Sequence, residues 1–172
     1  MHASAELPYF IRPSQALSVA EKRAAYQTVQ RQLRAVLSPD SSRTVRMVTL
    51  NCLLKTNLPY YFWVGFYEVR NGRLEVGPYQ GTLGCLSIDY DRGVCGKAAR
   101  TRATQVVPDT HALVQGAEHI ACDPNSRSEI VVPVLDATGE LIAVFDVDST
   151  LVGSFDGVDQ HYLEALMGEW FG

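Results

Sequence analysis

Four cysteines stand at positions 52, 85, 95 and 122 of this 172-residue chain, and they mark the chemistry it can offer. They form no C-x-x-C pair, and their gaps do not suit a closed tetrahedral zinc site. Reactive thiols are therefore a better reading than a Cys85/Cys95/Cys122/His119 metal site, and we expect neither metal nor cofactor. Cys122 lies in the segment His119-Ile-Ala-Cys-Asp-Pro-Asn-Ser-Arg127-Ser-Glu129, which has little periodicity and reads as a loop. Burial does not explain a cysteine there. A thiolate is a nucleophile where cations or free backbone N–H groups lower the thiol pKa. His119 and Arg127 are the local cations, unless both are simply solvated. Cys85 and Cys95 follow glycine-containing turns and match no helical core pattern. A cysteine oxidised to a sulfenic acid condenses with a second thiol. Three such cysteines suit a nucleophile with one or two partners; the plainer alternative makes Cys85 and Cys95 partly buried structural residues. Cys52 sits among Met47, Leu50, Leu53 and Leu54 and reads as a small buried hydrophobe.

A second constellation is acidic. In Val144-Phe-Asp146-Val-Asp148-Ser149 the strand alternation places both aspartates on one face. Paired carboxylates on an apolar strand call for a metal, an organic cation or a shared proton. Otherwise the strand ends at Phe145 and both are solvated or cap Ser149 and Thr150. Trp63 and Tyr67, four apart, also share a face. Such pairs either fill a core or wall a pocket for an apolar group such as a thioether methyl.

These residues need a frame, and the periodicity supplies one. Tyr26, Val29, Leu33, Val36 and Leu37 recur at helical spacing over residues 19–37, with Ser18 and Glu21 as a capping box. Ser38-Pro39-Asp40 ends that helix, and a second is predicted over 42–55. Residues 60–69 are aromatic and β-branched and read as a strand; Asn71-Gly72 turns it back into a partner over 73–76. A third strand is expected over 83–88, a short helix over 93–101, a strand over 105–107 and a long loop over 110–126. Strands over 129–135 and 141–147 follow, then a helix over 156–171 burying Val158, Tyr162, Leu166 and Trp170. The fold class is α+β: one domain over 1–172, with a central antiparallel sheet and the N- and C-terminal helices on one face.

The net charge of −4 and scattered Lys and Arg speak against nucleic acid. No apolar run is long enough for a bilayer span, and no secretory layout opens the chain, so we expect a cytoplasmic protein without membrane contact.

Seven segments taken together resemble the free methionine-(R)-sulfoxide reductase family, a class of GAF-domain enzymes. They are FWVGFY at 62–67, VGPYQG at 76–81, the cysteine at 85, RGVCG at 92–96, HIACD at 119–123, SRSEIVVP at 126–133 and DVDST at 146–150. The resemblance implies a GAF-like fold, reduction of free methionine sulfoxide, and roles residue by residue. Cys122 matches the nucleophile, Cys85 the principal resolving cysteine and Cys95 an alternative one. Glu129, Asp146 and Asp148 match the acids that hold the substrate ammonium, and Trp63 and Tyr67 match its aromatic pocket. It further implies thioredoxin as reductant and backbone N–H groups of the 109–122 loop as the seat of the substrate carboxylate. Tyr79 and Gly84 read as neighbour changes that remove no functional type. GAF domains also serve as ligand sensors, so a non-catalytic redox or small-ligand sensor is the alternative. The oligomeric state stays open, with the N-terminal helix as a surface for a homodimer.

Overall fold

Side chains alternate along each strand, and that alternation splits the apolar residues of this chain into two layers. The computed structural model describes residues 12–113 and 122–172. Its elements are α1 (Val19–Val36), α2 (Arg43–Asn57), β1 (Trp63–Arg70), β2 (Arg73–Gln80), β3 (Ser87–Ile88), α3 (Gly93–Thr101), β4 (Gln105–Val107), a 3-10 turn (Thr110–Ala112), β5 (Ser128–Leu135), β6 (Leu141–Ser149) and α4 (Gly157–Phe171). The strands make one sheet in the order β3-β2-β1-β6-β5-β4, with every neighbouring pair antiparallel.

Val64 and Phe66 of β1, Phe145 and Val147 of β6, and Ile130 and Val132 of β5 face one way. They bury against Leu50 and Leu54 of α2 and Leu163 and Leu166 of α4, and Tyr26, Val29 and Leu33 of α1 complete that layer. The terminal helices thus share a face, as the periodicity predicts. The short helix α3 takes the opposite face, where Val94, Cys95, Ala98 and Ala99 pack with Val131 and Val144. A buried layer on each face leaves room for a site within the second one.

Local signals hold well. Ser18 and Glu21 form the capping box, and Asn71 and Gly72 both adopt positive φ (51° and 75°), the pair a two-residue hairpin turn requires. Strand β2 runs past the predicted 73–76, because a bulge opposite Phe66 absorbs Gly77-Pro78 and pairing resumes at Tyr79. Of the predicted 83–88 strand only Ser87–Ile88 pairs.

Three burial expectations are corrected. Cys52 is exposed: the buried stripe of α2 is Met47, Leu50, Asn51 and Leu54, and Cys52 lies about 200° round the helix from Leu50. Val36 shares the face of Val29 and Leu33 but is the last residue of α1, and it is 65% exposed. At the C-terminus Phe171 is buried and Trp170 only half-buried. Among the described residues no helix is long and apolar enough to cross a membrane.

A buried ionic cluster ties α1 to α4. The Asp159 carboxylate accepts from Lys22 Nζ (2.5 Å), Tyr26 Oη (2.7 Å), Tyr60 Oη (2.5 Å) and the Asp156 backbone N–H (2.9 Å). Lys22 is 4% exposed and Asp159 fully buried. Asp159→Ala takes the buried acceptor from two phenols and leaves the buried Lys22 ammonium only the Asp156 carboxylate (2.9 Å) and the Ser154 carbonyl (2.7 Å). We expect it to cost about 3–5 kcal/mol, read as a lower urea midpoint with unchanged slope.

Candidate active site

Cross-strand register assembles the site. Glu129 of β5 stands opposite Asp148 of β6, which stands opposite Trp63 of β1. Two residues along on the same face, Asp146 lies between Val131 and Gly65. Residues separated by as many as 85 positions thereby share one patch, facing α3. Glu129 and Asp146 are 5% and 6% exposed; Asp148 is half-buried. From the facing helix, Cys95 brings its sulfur within 4.8 Å of carboxylate oxygens of both Glu129 and Asp146.

The aromatic wall depends on missing side chains. The Trp63 ring lies over Gly65 and against Gly81: a Cβ on either would fall 2.6–2.7 Å from the indole. Held there, Trp63 stacks between Tyr67 (centroids 5.6 Å) and Tyr79 (5.2 Å). Tyr79, expected only as a neighbour change, is therefore part of the wall's support. Gly84 borders the same slot, with room for no more than a close contact to Trp63 and the Tyr67 hydroxyl.

Phe62, Trp63, Tyr67, Cys95, Cys122, Asp123, Ser126, Glu129, Asp146 and Asp148 all line one cavity. Cys122 is exposed at its rim and joined by a disulfide to the half-buried Cys85, with Cα atoms 5.3 Å apart. The loop base is pinned: Thr110 donates its N–H to the Arg127 carbonyl (3.0 Å) and its hydroxyl to the Ser126 carbonyl (2.9 Å). The Ser126 hydroxyl donates to the Asp148 carboxylate, a contact without a sequence signal. Arg127, one of the two expected cations, pairs instead with Asp109 (3.7 Å). His119, and most of the backbone expected to receive a substrate carboxylate, lie outside the described residues.

The electrostatics follow from crowding anions in a dry place. Burial, then the Asp148 charge, pushes the Glu129 carboxyl well above its ordinary value. Burial, then Asp148 and Glu129, raises Asp146 likewise, against the partial relief of the Cys95 thiol and the Val147 N–H. Asp146 Oδ1 has no hydrogen-bond donor among the described residues. Burial and the same three carboxylates raise the Cys95 thiol. Cys95 is thus a core residue of α3, against the expectation that it fits no core pattern, and it stays protonated. Such a cluster suits a cation that brings its own N–H donors, and an ammonium does so.

The GAF domain family matches residues 38–169. The chain is 34% identical over 148 residues to the free methionine-R-sulfoxide reductase of Escherichia coli, covering 86% of this chain and 87% of that one. Among solved structures it is similar to the free methionine-R-sulfoxide reductase of Neisseria meningitidis in complex with its substrate (35% identity, TM-score 0.79, 92% of each chain). The reduced form of the Staphylococcus aureus protein is similar too (34%, TM-score 0.77, covering 94% of this chain and 96% of that one). This chain belongs to the GAF domain family and, within it, to the free methionine-R-sulfoxide reductases.

Proposed function

We propose that the protein reduces free L-methionine (R)-sulfoxide to methionine through the Cys122 thiol. The observation that carries this is the Cys85–Cys122 disulfide at the rim of a cavity floored by Glu129, Asp146 and Asp148 and walled by Trp63 and Tyr67. The substrate ammonium is assigned to the three carboxylates, which a peptide-bound methionine could not engage. The aromatic wall takes the thioether end.

The Cys122 thiolate attacks the sulfoxide sulfur as a proton goes to the sulfoxide oxygen. The oxygen then passes from the methionine sulfur to Cys122 Sγ as the transient bond between the two sulfurs breaks, releasing methionine and leaving Cys122 as a sulfenic acid. The Cys85 thiol then displaces that hydroxyl as water and closes the disulfide. An external dithiol protein, which we take to be thioredoxin, reduces the disulfide and is itself oxidised. Glu129 is our choice for the proton donor, since its raised pKa keeps a proton available near neutrality; Asp148, facing it, is second. Cys95 lines the same cavity as a secondary resolving thiol, placed behind Cys85 by its burial. We take the helix preceding the GAF match to belong to the same domain, because Tyr26, Val29 and Leu33 are fully buried in its core, and the cytoplasm as the compartment that supplies the dithiol.

The test is an assay of purified protein with racemic free methionine sulfoxide, thioredoxin and its reducing system. Half of the sulfoxide should be consumed, and peptide-bound sulfoxide left untouched; consumption of neither isomer would leave a sensor. Cys85→Ser should keep the first turnover yet slow steady-state turnover at least about tenfold, as measured by methionine release with and without excess thioredoxin.

A further inference from the structure

The segment between β2 and β3 carries Cys85 but has little to hold it. It forms no regular structure before Ser87, and Leu83 and Leu86 are 74% and 70% exposed. Among the described residues two bonds join it to the Cys122 loop: the disulfide, and a 2.5 Å hydrogen bond from the Thr82 hydroxyl to Asp123 Oδ2. The second involves no sulfur atom.

Both ends of that hydrogen bond are anchored. The Thr82 carbonyl accepts from Trp63 Nε1 (3.0 Å), which fixes it to the aromatic wall. The other oxygen of Asp123 accepts from the Asn125 N–H (2.8 Å) and side-chain amide (2.9 Å), and Ser126 closes the turn onto the Asp123 carbonyl (3.2 Å). Ser126 in turn reaches Asp148. One bonded path therefore runs from Trp63 through Thr82 and Asp123 to the carboxylate floor, and it passes three residues from Cys85 and one from Cys122.

When the disulfide is cut, the covalent tie is lost and the two sulfurs are 37 positions apart along the chain. Condensation then depends on how often Cys85 meets Cys122, which a tether raises as an effective concentration. Resting on the role of Cys122 and Cys85 given above, we propose that Thr82 is a positioning residue whose hydroxyl bond to Asp123 holds the Cys85 loop beside Cys122 through the reduced and sulfenic states. It acts on resolution and leaves the attack on sulfoxide alone, because Thr82 is not among the described residues that line the cavity. A hydrogen bond to a carboxylate is strong enough that its loss slows loop meeting about tenfold or more.

The experiment mixes reduced protein with excess free methionine (R)-sulfoxide and no dithiol. It follows methionine by rapid quench, disulfide by loss of free thiols, and sulfenic acid by dimedone trapping. Thr82→Val should give a methionine burst within about twofold of wild type, disulfide closure at least about tenfold slower, and a dimedone adduct on Cys122 absent from wild type. Thr82→Ser, which keeps the hydroxyl, should close at the wild-type rate. Thr82→Ala removes the same hydroxyl without the valine methyl and must behave as Thr82→Val. Closure at the wild-type rate in Val and Ala, or equally slow closure in Ser, overturns the proposal. A wild type with no methionine burst overturns the functional reading, and this proposal falls with it.

Discussion

Cys122→Ser should form no methionine above the uncatalysed background, in the first turnover as in the steady state. A serine hydroxyl is a poor nucleophile toward sulfoxide sulfur and forms no sulfenic acid, so no later step can compensate. The expected loss is at least about a thousandfold in the single-turnover rate, far beyond what Cys85→Ser should cause. Substrate affinity is the control. Glu129, Asp146 and Asp148 come from the sheet, on strands β5 and β6, and the serine variant should still quench Trp63 fluorescence on binding. An undiminished methionine burst in this variant would remove Cys122 from the mechanism.

Asp146→Asn should separate binding from stability. Asp146 is buried beside Cys95, with one oxygen free of donors among the described residues. Asparagine keeps the shape and loses the charge that an ammonium seeks. Removing one member of a buried charge contact costs about 2–4 kcal/mol, or about 30- to 1000-fold in substrate affinity. The same substitution should stabilise the free protein at neutral pH. Burial and the neighbouring carboxylates raise the folded-state pKa of Asp146, so from about pH 4 upward the folded chain holds a proton that the unfolded chain has released. Stability therefore declines as pH rises through that window, until the raised pKa is passed. Asparagine has no such proton to lose. The melting temperature of Asp146→Asn minus that of wild type should thus become more positive between pH 5 and pH 8. A difference that is flat or falls with pH would show that Asp146 is ionised without strain.

This opposition explains the composition of the site. Three carboxylates over an otherwise apolar sheet face weaken the free protein, and they are tolerable because the opposite face carries an uninterrupted core from Tyr26 to Phe171. The Lys22–Asp159 cluster lies in that helical layer, where each charge already has its partner.

What the sequence by itself determined is whatever depends on neighbours within a few residues. The Ser18 capping box, the Asn71-Gly72 turn, the extents of α3 and β4, and the shared face of Asp146 and Asp148 are all written in period and turn chemistry. The motifs also pointed to the cysteines and carboxylates that line the cavity. Tertiary structure decided which face of each helix is buried and how far along it: Cys52 falls on the wrong side of a stripe that only packing defines, and Val36 at the end of α1 lies beyond what packs there. It also put α3 on the far face of the sheet, drew Cys95 into the core beside Asp146, turned Arg127 toward Asp109, brought Ser126 into the site, and set Tyr79 and Thr82 beside it. Periodicity is a local property that any short window reveals, whereas register between strands is set by contacts between residues tens of positions apart.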